Sequence, residues 1–271
     1  MNSDAQTAHK LACMEVWGGN RKVAHPVELP DLAGWVYSAP LEPATGGGDL
    51  HYLSVCDQDV LSRVALADVV GHGQAVSSLA EELRTLMHKN INTWDQSDFM
   101  RELNQAFQQG LTDIKFATVV VLGYYRSKSK LVFTNAGHLP PLWYHAAERK
   151  WDWLEDNTPR AETEVSGLPL GLIPGTDYHQ TAVLLAPNDF VVLYTDGFPE
   201  SENAAGQQLG QEGVLELARS LPLDSPAAAG QALLTAVQRF RNDAPARDDE
   251  TLVVLQCLAA QTVMPSIEET T

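Results

Sequence analysis

The stretch VLSRVALADVVGHG, residues 60–73, decides how the chain is read. Its aliphatic and β-branched run predicts a buried strand. The strand ends on an acid, Asp68, and passes into a loop in which Gly71 and Gly73 flank His72. Beyond the loop, Val76, Leu79, Ala80, Leu83 and Leu86 recur at the three-and-four spacing of a helix with one buried face. A second helix is predicted from Ser97, burying Phe99, Leu103 and Phe107.

Upstream, WVYSAP and HYLSV read as strands around the turn TGGGD, residues 45–49. Downstream, FATVVVLGYY and KLVFTNAG flank the turn RSKSK and predict a hairpin. PPLWY, KWDWLE, QTAVLLA and FVVLYTDG continue the β pattern. Ser225 and Pro226 form a good helix start, with serine as cap and proline in the first turn; the last strand is ETLVVLQCLA. Strands and helices come in separate runs and do not alternate as in a parallel α/β chain. That segregation predicts an α+β fold, two packed antiparallel sheets flanked by helices in an αββα sandwich. Residues 1–29 read as an irregular N-terminal extension with at most a short strand at CMEV, residues 30–258 as one domain, and residues 259–271 as a tail.

The 271-residue chain carries a formal charge of −17, which disfavours nucleic acid as a partner. No apolar run approaches the ~20 residues of a membrane span, so no membrane association is expected. MNSDAQTAHK lacks the basic-then-apolar order of a secretory signal. Three scattered cysteines, Cys13, Cys56 and Cys257, fit no disulfide framework or zinc site. They are expected to be buried, in a reducing cytoplasmic compartment.

Acids placed like Asp68 recur. Asp49 follows three glycines, Asp196 ends FVVLYT before Gly197, and Asp248 and Asp249 precede TLVVL. Any one of them reads as a solvated turn residue. Four such points suggest convergence, and converging carboxylates need a counter-charge. Oxygen donors select hard cations such as magnesium or manganese.

The motifs GGGD, ADVVGHG, FATVVV, NAGHLPPLWY, LPLGL, LYTDG and DDETLVVL stand in an order that resembles the SpoIIE-type branch of the metal-dependent protein phosphatases, relatives of protein phosphatase 2C. The resemblance runs from about residue 30 to residue 257. It implies the same αββα sandwich and a site for two divalent cations, manganese or magnesium. Asp68 would bridge the ions with help from the Val69 carbonyl, Asp196 and Asp248 would complete one ion's ligands, and Asp49 would sit beside the other. Asp68 and Asp196 would be catalytic through the ions and a water whose pKa they lower. Gly48, His72, Gly197 and Asp249 would surround the ligands. Gly71 and Gly73 would let the backbone approach the ions. The implied substrate is phosphoserine or phosphothreonine in a regulatory protein, such as an antagonist of an anti-sigma factor. The alternative is a catalytically weak binding module in a signalling partner switch.

Some positions depart from the family's usual wording: Tyr52 stands where a second Asp is common, Val70 replaces a Ser or Thr, and Pro199 replaces a Thr. Arg63 and Arg247 are the cations nearest the motifs in sequence, and neither is a clear match for the phosphate-gripping Arg of eukaryotic relatives. His72 reads as a structural loop histidine or as an acid for the leaving oxygen. Asn135 and His138 are expected to hold a loop. Glu200, Glu202 and Asn203 are expected to form a solvated flap.

Overall fold

The computed structural model describes residues 7–41, 43–71, 74–109, 116–155 and 167–259. His72 and Gly73 lie outside the described residues. In chain order the strands and helices are β1 (His9–Lys10), β2 (Val16–Gly19), β3 (Val23–Leu29), β4 (Leu32–Ala39), β5 (Asp49–Val55), β6 (Leu61–Val69), α1 (Gln74–Lys89) and α2 (Gln96–Gln109). They continue with β7 (Ala117–Tyr125), β8 (Lys130–Ala136), β9 (Leu142–His145), β10 (Lys150–Trp153), β11 (Thr181–Leu184), β12 (Phe190–Tyr194), α3 (Gly210–Ala218), α4 (Pro226–Phe240) and β13 (Glu250–Cys257). One sheet runs β1-β3-β4-β13-β12-β9-β10 and the other β11-β8-β7-β6-β5-β2. Neighbouring strands are antiparallel except β1 and β3.

The apolar runs are continuous because the central strands are covered on both faces. On β6, Val64 and Leu66 point between the sheets, against Val36, Leu193 and Val253 of the other sheet. Ala65 and Ala67 point outward, into a cluster with Leu83 of α1 and Phe99, Leu103 and Phe107 of α2. The second sheet repeats the scheme. Trp35, Val192 and Val254 pack outward with Leu215 of α3 and Leu233 and Val237 of α4. Burying each such side chain contributes roughly 1.5–3 kcal/mol, so the helices are held by their apolar faces more than by propensity. The result is the αββα sandwich expected from the segregated runs.

The cap at Ser225 forms as expected: its Oγ accepts a hydrogen bond from the Ala228 amide at 3.1 Å. Gly230 lets α4 lie close on β4, since a Cβ there would sit 2.3 Å from the Trp35 ring.

Two expectations need correction. Residues 9–29 are not an irregular extension; they supply β1, β2 and β3, and they extend both sheets. Glycine and proline hid them. Gly18 presses β2 onto β5, where a Cβ would lie 2.2 Å from the His51 carbonyl oxygen. Pro26 is tolerated because β1 pairs only with Val27 and Glu28, so no ladder needs the missing amide. Cys13 is exposed, whereas Cys56 and Cys257 are buried.

Candidate functional site

Two neighbouring strands from each sheet deliver acids to one end of the sandwich. Asp49 begins β5 and Asp68 lies near the end of β6, and the two stand directly opposite in the ladder. Asp196 follows β12 and Asp248 precedes β13, the adjacent pair of the other sheet. Carboxylate oxygens of Asp196, Glu200 and Asp248 lie within 4.8 Å of one another. Like charges at that separation repel by on the order of 3 kcal/mol per pair in a moderately polar environment.

The electrostatics record the crowding. Burial, then the charges of Asp196 and Asp248, push the Asp68 carboxyl up to about 7. Burial, Asp248 and Glu200 push Asp196 up to about 6. Asp49 is buried and held well above the usual carboxylate range, first by desolvation and then by Asp68. Among the described residues, no Lys or Arg forms an ion pair with Asp49, Asp68, Asp196, Glu200 or Asp248.

The supporting contacts are specific. Thr195 Oγ1 donates to Asp49 Oδ2 at 2.7 Å and itself accepts from the Thr251 amide at 3.0 Å, tying the two sheets together behind the acids. Asp249 has backbone partners: its carboxylate accepts from the amides of Leu41 at 2.6 Å and Gly48 at 2.7 Å, and its charge adds to the repulsion on Asp68 and Asp49. It anchors the loop that brings in Asp49. Asn20 holds the same loop, donating to the Gly47 carbonyl at 3.0 Å. Gly48 and Gly197 have no room for a side chain: a Cβ would fall 2.8 Å from the Val69 carbonyl oxygen and 2.2 Å from that of Asp249, respectively. Gly71, at φ +126°, turns the chain out of β6 in a conformation open to glycine.

Two clefts border the acids. One of about 290 Å³ is lined by Asp68, Thr118, His138 and Asp196. The other, of about 500 Å³, is lined by Gly197, Glu200, Glu202, Arg247 and Asp248. Asn135 bonds both backbone groups of His138, at 2.7 and 2.9 Å, so NAGH does hold its loop. The His138 Nδ1 meets Thr118 Oγ1 at 2.9 Å, and Thr118 stands opposite Asp68 in the ladder.

Thus Asp196 and Asp248 meet, Asp68 faces them, and Asp49 backs Asp68. His72 lies outside the described residues. Glu200 was expected in a solvated flap; it is exposed, yet its carboxylate joins Asp196 and Asp248. The turn that brings it there closes with the Glu200 amide on the Asp196 carbonyl at 2.9 Å. An acid four residues after a strand-end Asp was the available signal, masked by the polar run around it. Arg63 is no site residue. It is buried, stacked 4.1 Å from the centroid of Phe99 and bonded to the carbonyls of Ile91 and Thr93. Arg247 is exposed and paired with Glu202.

Comparison with known proteins identifies the family and the fold. The chain is 27% identical over 170 residues to the phosphoserine phosphatase RsbU of Bacillus subtilis, covering 62% of this chain and 47% of that protein. The chain therefore spans about half the length of that relative. The fold is shared with the SiaA-PP2C domain of Pseudomonas aeruginosa, with a TM-score of 0.69 at 18% identity over 82% of this chain and 85% of that one. It is shared too with the catalytic domain of the serine/threonine protein phosphatase PstP in complex with two manganese ions (TM-score 0.58, 16% identity, 84% of this chain and 99% of that one). The model of the Stage II sporulation protein E (SpoIIE) family matches residues 59–258, a span that includes Asp68, Asp196, Glu200 and Asp248, and the chain belongs to that family.

Proposed function

We propose that the chain is a metal-dependent protein phosphatase acting on phosphoserine or phosphothreonine in a regulatory phosphoprotein. The observation that carries this reading is the cluster of Asp68, Asp196, Glu200 and Asp248, which has no cationic partner among the described residues. Such a donor set is all hard oxygen and strongly self-repelling, and it fits divalent cations such as manganese or magnesium. The relative named a phosphoserine phosphatase and the neighbour solved with two manganese ions support the same reading.

In this reading Asp68, Asp196 and Asp248 would hold two divalent ions, with Asp49 beside one of them and the Val69 carbonyl and Glu200 at hand. When bound, the ions lower the pKa of water and offset the charge that develops on phosphate oxygens. The protein's own residues prepare the place. Asp49 is fixed by Thr195 and stands directly opposite Asp68 in the ladder. Asp249 pins the Gly48 amide, and Gly48 and Gly197 leave open the space a side chain would fill. The cleft along Gly197, Glu202 and Arg247 would receive the residues flanking the phosphate. No helix among the described residues is long and apolar enough to cross a membrane, and we place the enzyme in the cytoplasm with a phosphoprotein such as an anti-sigma-factor antagonist as substrate.

The test is phosphate release from a phosphoserine peptide and from p-nitrophenyl phosphate, each with manganese and with EDTA. Manganese-dependent release from the peptide supports a protein phosphatase. Release from the small ester alone points to a small-molecule hydrolase, and release from neither to a binding module.

A further inference from the structure

The loop that delivers Asp49 cannot fix its own position. Gly46, Gly47 and Gly48 precede the acid, and a run of glycines has the widest backbone freedom of any sequence. Side chains from elsewhere in the chain must hold it. Asp249 takes the Gly48 amide at 2.7 Å. The other hold is Asn20.

Asn20 lies just past β2, whose ladder with β5 ends at Gly19 opposite His51. It is buried, at 2% exposure. Its backbone carbonyl accepts from the Gly47 amide at 3.0 Å, and its side-chain amide donates back to the Gly47 carbonyl at 3.0 Å. The same NH2 group donates to Ser77 of α1, to the carbonyl at 3.0 Å and to Oγ at 2.8 Å. Two carbonyls beside one NH2 group fix which way the amide faces. The fit is close. A Cβ on Gly46 would lie 2.6 Å from Ser77 Oγ, and one on Gly47 would lie 2.1 Å from Asp249 Oδ2. Gly48 passes the constraint on: its carbonyl accepts from the Val69 amide at 3.2 Å, and Asp49 follows it in the chain.

We propose that Asn20 is a positioning residue for the acidic site, and that through it the N-terminal strand β2 governs how tightly the site holds a divalent cation. Anchored on Ser77, Asn20 clamps Gly47 and so sets the backbone of Asp49 and of Val69. This inference rests on the metal-binding reading above and deepens it. Asn20 lies outside residues 59–258, the span that the family model matches, so the site draws on a part of the chain that the family pattern does not describe. The coupling runs both ways by linkage: a shift of β2 weakens cation binding, and a bound cation holds β2 more firmly. Aspartate at position 20 would have the same shape but no donor, and would turn oxygen toward three acceptors.

The test compares the full chain with Asn20→Ala, Asn20→Asp and Ser77→Ala, well below their melting temperatures. Manganese affinity is read by calorimetric titration, and amide hydrogen exchange is followed in EDTA and in manganese. In EDTA the amides of Gly47, Gly48 and Val69 should exchange at least about tenfold faster in both Asn20 variants. Manganese should bind about tenfold more weakly, the scale of loss when a contact that supports a ligand is removed. In wild type, manganese should slow exchange across Val16–Gly19, and in Asn20→Ala that protection should vanish. Asn20→Asp separates placement from charge, because an added negative charge by itself tightens cation binding. Excess manganese should restore most of the phosphate release from a phosphoserine peptide, a recovery that a merely destabilised fold does not give. Ser77→Ala removes one of the three acceptors and decides the matter, with a smaller loss of affinity, if the Asn20 variants do not fold. Unchanged affinity in the variants, tighter binding in Asn20→Asp, or protection of β2 that survives in Asn20→Ala would overturn this assignment alone. Wild type that binds no manganese would overturn the metal-binding reading, and this assignment with it.

Discussion

With metal chelated, Asp68→Asn should make the protein more stable. Asp68 ionises in a half-buried place facing Asp196 and Asp248, and its pKa rises from 3.8 to about 7. A carboxyl with a raised folded-state pKa binds more protons folded than unfolded between those values. Its cost therefore grows as pH rises from 4 to 7 and is complete above 7. Three units at ~1.36 kcal/mol each make that cost ~4 kcal/mol at pH 8. Asparagine keeps the shape and removes the charge. Its amide needs partners in the same half-buried place, which takes back ~1–3 kcal/mol. The net gain is ~1–3 kcal/mol, or roughly 2–10 °C in melting temperature for a chain of this size. At pH 5.5 roughly half of the cost remains, so the advantage of the variant should shrink. With manganese the order should reverse, because wild type then gains binding energy that the variant has lost. Thermal melts of both proteins, in EDTA and in manganese, at pH 5.5 and 8, give every comparison. A variant that melts below wild type in EDTA at pH 8, or whose difference ignores pH, would refute the reasoning.

The supporting residues make further predictions. Glu200→Gln should weaken manganese binding roughly tenfold or more by calorimetric titration, while the metal-free variant melts no lower than wild type. Thr195→Val should lower the melting temperature by roughly 2–10 °C, since it strips the buried Asp49 of its 2.7 Å donor and the Thr251 amide of its acceptor. Gly48→Ala should reduce manganese-dependent phosphate release at least about tenfold, because the new methyl pushes on the Val69 carbonyl beside Asp68; unchanged turnover would show that the loop gives way freely.

The architecture was legible because the signals were redundant. The β6 run is buried on both faces, and the helix after it buries one face at helical spacing, so strand and helix readings did not compete. Ser225 and Pro226 announced α4 by chemistry alone. What stayed hidden lacks such redundancy. β2 is two glycines out of four residues, β3 contains Pro26, and α3 carries two glycines, so local propensity spoke against elements that tertiary packing supports. At the site, acids at strand edges beside a glycine, a turn or another acid marked Asp49, Asp68, Asp196 and Asp248, because few forces other than a shared task put charge at the ends of buried strands. Glu200 was missed since its position depends on how one turn closes, and no spacing rule encodes that. Asp249 was legible as an acid near the site; its hold on two backbone amides, those of Leu41 and Gly48, is a tertiary contact that no local pattern encodes.

The most direct measurement is the initial rate of phosphate release from a phosphoserine peptide as manganese is titrated into wild type and Asp68→Asn. The rate should be absent in EDTA, rise to saturation with manganese in wild type, and fall by on the order of 10³-fold or more in the variant, whose fold is intact. Hydrolysis that persists undiminished in EDTA, or a variant that keeps about a tenth of the wild-type rate, would contradict the claim that these carboxylates act by holding divalent cations.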